Sequence, residues 1–202
     1  NVSSCGIGDD GAAAFVAALP CTLQLQSLNL RCNDISEAAC GRIVTASAGT
    51  SLVELSLAGN GAHSETLASL EAALTTNALH ACEGSALDLR SRGLGDAAAS
   101  AIAAMLPTLH LVSIDLRNNS VTESGAAALY EALALNTSLK DLPLNGCPAE
   151  KTAAGRRLTG RLAVNALRWA SPSEALRVAG DRSLGDEGAE EVAAFLSTRP
   201  AM

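Results

Sequence analysis

The stretch Leu25–Ala38, LQSLNLRCNDISEA, decides the fold. Counted from Leu25 as offset 0, apolar residues stand at offsets 0, 3 and 5 (Leu25, Leu28, Leu30), asparagine at offset 8 (Asn33) and an apolar residue again at offset 10 (Ile35). The same offsets return at Leu52, Leu55, Leu57, Asn60 and Ala62, and again at Leu111, Ile114, Leu116, Asn119 and Val121. Looser copies run through Gly84, Leu87, Leu89, Arg92 and Leu94, and through Leu139, Leu142, Leu144, Cys147 and Ala149. A last copy runs through Leu176, Val178, Asp181 and, one residue late, Leu184, while Val2, Cys5 and Ile7 read as the tail of a first. Starts at 25, 52, 84, 111, 139 and about 173 are 27, 32, 27, 28 and about 34 residues apart. A fixed period of this size is the mark of a stacked-repeat architecture.

Each copy is followed by a helix start: Gly8-Asp9-Asp10, Ser36-Glu37, Gly95-Asp96, Thr122-Glu123 and Gly185-Asp186-Glu187. A Gly, Ser or Thr cap precedes an acid in the first turn, where the helix dipole favours negative charge. Phe15, Ile43, Leu70, Ile102, Leu129 and Val192 then align, with Leu19, Leu74, Leu106, Leu133 and Leu196 four residues further on. Apolar i, i+4 pairs surrounded by alanine describe one helical face pressed closely on its neighbours. The unit is therefore a short strand, a turn and an Ala-rich helix. Parallel strands stack about 4.8 Å apart and helices about 8–10 Å, so such an array bends toward its sheet. Asparagine at offset 8 is expected to turn inward and bond the backbone of neighbouring turns.

This pattern resembles the leucine-rich repeat family, in its ribonuclease-inhibitor-like class. The resemblance implies an α/β, right-handed solenoid, or horseshoe, with parallel strands on the concave face and helices on the convex face. Residues 1–202 are expected to form one such domain of about seven repeats, the first incomplete. Cys5 and Cys147 match the family's alternative to asparagine at offset 8, whereas Arg92 and Asp181 depart from it. The chain opens at Asn1 within a repeat and is expected to be a piece of a longer protein.

Composition agrees with this reading. Alanine and leucine make up 71 of 202 residues against four aromatics, Phe15, Tyr130, Trp169 and Phe195, so large rings do not build the core. Hydrophobic residues at 48% and charged residues at 17% exclude a disordered chain. The longest uncharged segment, Ala97–Ile114, contains Pro107 and His110 and divides into a helix and a strand, so no membrane span is expected. A net charge of −7 argues against a general nucleic-acid binder. The six cysteines, at 5, 21, 32, 40, 82 and 147, lack zinc-ligand spacing and read as free thiols of a reducing compartment. Glycosylation sequons at Asn1, Asn118 and Asn136 would matter only in a secreted protein.

No nucleophile, metal or phosphate-loop motif occurs, so no catalytic residue, cofactor or metal is expected. Binding is expected on the strands, whose side chains alternate so that offsets 2, 4 and 6 project from the sheet. These offsets place Arg31, Glu54, Asp88, Arg90, Asp115, Arg117 and Asp141 there. Asp88 lies beside Asp115 and Arg90 beside Arg117, which reads either as a docking patch or as a solvated surface compensated by diagonal pairing. A second candidate is the basic helix bearing Arg156, Arg157, Arg161 and Arg168 beside Trp169, which suits an acidic partner or a gap in a longer repeat. By analogy with the family, the expected function is a non-catalytic protein-interaction scaffold. It is placed in the cytoplasm as a structural subunit of a larger assembly, cytoskeletal or axonemal (cilium or flagellum). The alternatives are a regulator of a small GTPase, resembling the Ran GTPase-activating proteins, and the ligand-sensing repeat domain of a receptor.

Overall fold

The computed structural model describes residues 1–168 and 184–198, in two compact units, Asn1–Glu83 and Gly84–Met202. In the first unit α1 (Gly8–Ala18) precedes β1 (Ser27–Asn29), α2 (Glu37–Ser47), β2 (Glu54–Ser56) and α3 (Ser64–Ala81). The second unit runs β3 (Ala86–Asp88), α4 (Asp96–Met105), β4 (Ser113–Asp115), α5 (Glu123–Ala132), α6 (Ala153–Leu167) and α7 (Gly185–Ser197). β1 pairs in parallel with β2, Leu28 opposite Leu55, and β3 with β4, Leu87 opposite Ile114. Both ladders extend beyond the strands. Val2 and Ser4 donate to Asn29 and Arg31, while Ile114, Leu116 and Asn118 donate to Asp141, Pro143 and Asn145. The α/β leucine-rich-repeat architecture is thus present in each unit. Most of the repeat beginning near 173, and Trp169, lie outside the described residues.

The repeat offsets map onto the interior. Leu30, Leu57, Leu89, Leu116 and Leu144, all at offset 5, are buried, and each such leucine stabilises by about 2 kcal/mol. On the helices Ala12, Ala39, Ala99 and Ala126 are completely buried, as close helix contact requires. Ile43, Ile102 and Leu129 also face inward, but Leu196 is 52% exposed. Its neighbour Phe195 instead packs against Ala163, Val164 and Leu167. The 32-residue spacing is taken up by α3, which is 18 residues long against 11 for α2.

Asparagine at offset 8 closes the exits of β1, β2 and β4, while Arg92 holds that position after β3. Asn119 Nδ2 donates to Leu116 O (2.8 Å) and to Leu89 O of the preceding repeat (2.9 Å), and its Oδ1 accepts from Arg92 N and Leu94 N (both 3.0 Å). Asn60 is bonded in the same way to Leu57 O, Leu30 O, Asn33 N and Ile35 N. Asn33 repeats the pattern with Leu30 O, Val2 O, Cys5 N and Ile7 N. Two amide hydrogens and two lone pairs are the full capacity of this side chain, and all are used. At Cys147 the thiol donates to Leu116 O (3.2 Å), and its sulfur accepts from the backbone of Asn119 and Val121.

To aim offset 8 inward, offset 7 adopts a left-handed backbone in every described copy: Ser4, Cys32, Gly59, Ser91, Asn118 and Gly146, with φ from 53° to 78°. Neighbouring side chains at this level stack on one another. A Cβ on Gly59 would stand 2.6 Å from Cys32 Sγ, and one on Gly146 would stand 2.4 Å from Asn118 Oδ1. Glycine at both positions leaves room for these side chains and takes the positive φ without the strain that Ser4, Cys32, Ser91 and Asn118 bear.

A second row of buried amides lies at the other end of the strands. Asn77 Nδ2 donates to Ser47 O and Leu52 O, Asn136 to Leu106 O and Leu109 O, and Asn165 to Asn136 O and Leu139 O. Asn136, 4% exposed, has no room for a glycan despite its sequon. The acids of the helix starts reach outward, to the cap of the following helix. Asp9 accepts from Ser36 N (2.8 Å) and Ser36 Oγ (2.7 Å), and Asp96 from Thr122 N (2.8 Å) and Thr122 Oγ1 (2.6 Å).

Replacing Asn119 by Ala orphans two carbonyls and two amides and is expected to cost about 3 kcal/mol or more in urea denaturation. Asn119→Cys, which copies the arrangement at Cys147, is expected to recover about half of that loss. Equal stability of the two variants refutes the equivalence.

Candidate functional site

Residues two apart on a strand share a face, and the second unit uses this to fold each arginine back on its own aspartate. At β3, Asp88 Oδ1 accepts from Arg90 N (3.0 Å), while Arg90 Nε lies 3.0 and 3.1 Å from the two carboxylate oxygens and Nη2 lies 2.6 Å from Oδ2. At β4, Asp115 holds Arg117 with nearly the same geometry: backbone N at 3.1 Å, Nε at 3.0 Å from both oxygens and Nη2 at 2.6 Å. The backbone bond fixes the turn and the forked side-chain bonds fix the guanidinium plane. In the first unit Asn29 accepts from Arg31 N at 3.1 Å and so forms the same turn without the charge. Among the described residues Arg31 makes no ion pair.

The register sets Asp88 opposite Asp115, two like charges across one strand spacing. Arg90 Nε lies 3.5 Å from Asp115 Oδ2, so the diagonal contact joins the two pairs into one alternating cluster and offsets the repulsion. Hydrogen bonding from Arg90 holds the Asp88 carboxyl at about 2, well below its ordinary 3.8. The bond from Arg117 lowers that of Asp115. Both guanidinium groups are pushed the other way, Arg90 chiefly by Asp88 and Arg117 chiefly by Asp115. Asp141 stands next along the ladder, bridged to Ser113, and its charge further favours the ionised Arg117. The cluster thus brings together Asp88, Arg90, Asp115, Arg117 and Asp141, whereas Arg31 and Glu54 belong to the first unit. Arg90 and Arg117 keep Nη1 outside these bonds, so each presents one fixed donor edge.

The basic helix is different. Arg156 is bonded to Glu187 through Nε (2.6 Å) and Nη2 (2.9 Å), which holds the Glu187 carboxyl at about 2. Arg161 lies 3.3 Å from Glu191, donates to Tyr130 Oη at 3.2 Å and sits 5.2 Å above the Tyr130 ring, while the tyrosine hydroxyl donates to Glu191. Arg168 lies over Phe195. These three contacts tie α6 to α7, and Arg157 is left as an exposed cation. α6 and α7 also meet backbone to backbone: a Cβ on Gly160 would stand 2.5 Å from Gly188 O. Reading Arg156 and Arg161 as a basic ridge overlooked Tyr130, Glu187 and Glu191. The signal was a pair of acids one helical turn apart, Glu187 and Glu191, in the repeat that follows Arg156 and Arg161.

Among known families, the one described as Leucine Rich repeat matches residues 1–16 and 24–38. No curated protein matches the chain. Similar solved structures include "Leiomodin-1 Actin-Binding Site 2 (ABS2)", 14% identical, covering 91% of this chain and 88% of that chain with a TM-score of 0.33. The tropomodulin C-terminal domain of Caenorhabditis elegans is 11% identical, covering 93% of this chain and 99% of that chain with a TM-score of 0.34.

Because its folded value is depressed, Asp88 stabilises the folded chain fully above pH 3.8 and loses that contribution as pH falls toward about 2. NMR titration is expected to place its carboxyl midpoint near 2. Arg90→Gln is expected to raise the midpoint, and an unchanged midpoint refutes the pairing.

Proposed function

Since the chain is built of leucine-rich repeats, we propose that it is a non-catalytic scaffold for protein–protein interaction whose partner docks on Asp88, Arg90, Asp115, Arg117 and Asp141. The carrying observation is the repetition of one Asp–Arg geometry on adjacent strands. Guanidinium planes already fixed by hydrogen bonds give up little conformational freedom on binding, and this favours recognition over mere solubility. A surface of alternating charge suits a protein of complementary pattern better than nucleic acid, which rewards clustered cations. On the first unit Arg31 and Glu54 offer a sparser charged face. On the basic helix Arg157 remains for a weaker contact, with Arg168 over Phe195 beside it, since Arg156 and Arg161 are ion-paired to α7.

A helix of 10 to 18 residues follows each described strand-turn, which supports the ribonuclease-inhibitor-like class within each unit, and about seven repeats in all are part of the proposal. The finer reading is a structural subunit of a larger cytoskeletal or axonemal assembly in the cytoplasm. Among the described residues no helix is long and apolar enough to cross a membrane.

The test is native co-purification from cells with tagged wild-type chain and with the double variant Arg90→Glu, Arg117→Glu. The same protein partners are expected with both, about tenfold weaker with the variant and with altered salt dependence. Undiminished capture removes this cluster from the interface. Small GTPases are expected to hydrolyse GTP at the same rate with and without the chain. An accelerated rate moves the function to GTPase regulation.

A further inference from the structure

The sequence contains two Asn–Gly steps, Asn60–Gly61 and Asn145–Gly146, and the fold treats them in opposite ways. In such a step the glycine backbone nitrogen, unhindered by a Cβ, is able to attack the asparagine side-chain carbonyl. Asn60 is withdrawn from this chemistry. Its amide makes the four ladder bonds, and Gly61 N is committed to Ile35 O at 2.8 Å. Asn145 is exposed at a strand exit, and its amide meets a different partner. Asn145 Nδ2 donates to Glu150 Oε1 (3.0 Å), and Gly146 N donates to Glu150 Oε2 (2.9 Å). One carboxylate therefore holds both the hydrogen that the nucleophile must lose and the nitrogen that must leave. Glu150 is carried there by the short 3-10 turn Pro148–Lys151 that follows Cys147.

We propose that Asn145–Gly146 is a self-modifying site, at which Glu150 shuttles a proton and Asn145 deamidates without any enzyme. Glu150 takes the proton from Gly146 N as the N–Cγ bond forms. It passes that proton to Nδ2 as the Cγ–Nδ2 bond breaks and ammonia departs. The resulting succinimide is opened by water to aspartate or isoaspartate, and Glu150 ends as it began. Glu150 is a carboxylate at neutral pH, and the bonds from Gly146 and Asn145 keep it ionised while it stands against both groups. The product alters the surface described above. A new negative charge appears at offset 6, the level of Arg117. An isoaspartate adds a methylene to the main chain where Asn145 O receives Asn118 N at 2.9 Å.

The purified full chain is incubated at neutral pH, and each Asn–Gly peptide is followed by mass spectrometry together with isoaspartate-methyltransferase labelling. The expected result is conversion at Asn145 and not at Asn60 in the folded chain, with the two rates converging in urea. Glu150→Gln is expected to slow conversion at Asn145 by about tenfold, the low end of what a positioned base contributes, with an unchanged circular dichroism spectrum. Glu150→Asp, which keeps the charge but shortens the reach, is expected to fall between the two. Equal folded rates at Asn60 and Asn145, a difference that persists in urea, or a Glu150→Gln chain that converts as fast as wild type overturns the proposal.

Discussion

The repeats depend most on the inward-facing asparagine at the strand exit. A strand three residues long leaves its carbonyls and amides without partners as soon as the backbone turns, and in the interior those groups have no water to turn to. Asn33, Asn60 and Asn119 each meet four of them, two in their own repeat or the one before through Nδ2 and two more through Oδ1. Aiming the amide inward requires the residue before it to be left-handed, and at Ser4, Cys32, Ser91 and Asn118 a side chain bears the cost of that conformation. The leucines at offset 5 follow from the same turn, because their carbonyls are the ones the amide bonds.

The offsets at which leucine and asparagine recur were legible in the sequence because they are local, repeated and chemically distinct. The inward helix residues Ile43, Ile102 and Leu129 were legible for the same reason. Other features join residues 26 to 31 apart, where each partner looks ordinary in isolation. Asp9 and Asp96 read correctly as first-turn acids, yet they bond the next helix's cap as well as favouring their own dipole. Asn77, Asn136 and Asn165 were invisible as a row because the loops they serve differ in length. The left-handed residues at offset 7 were hidden by their variety, since Ser, Cys and Asn there do not announce positive φ as glycine does.

On the candidate site, the sequence located the like-charged rows and anticipated diagonal compensation, and Arg90 beside Asp115 has that geometry. It did not reveal that each arginine turns back on its own strand, because a fork of two side chains depends on rotamers that spacing alone leaves open. The basic helix shows the same limit in the choice of partner. The spacing offers Arg156 and Arg161 to an acidic partner, and the structure shows acids of the chain itself, Glu187 and Glu191, beside them, with Tyr130 against Arg161. Cations that alternate with acids one period later in the chain belong to the scaffold before they belong to a ligand.

The stacking at offset 7 has an effect on how the chain is written as a whole. Gly59 fits over Cys32 and Gly146 over Asn118, and Gly125 makes room for Asp96 and Ala99. Repeats that share one consensus are therefore not freely interchangeable, since those carrying Gly59, Gly125 and Gly146 each leave a small gap beside a neighbour's side chain. Near-identical units threaten a folding chain with out-of-order pairing, and a bulkier residue brought to one of these three positions would meet its neighbour's side chain. The irregularities in the pattern act as an address system, telling each turn of the chain where it belongs.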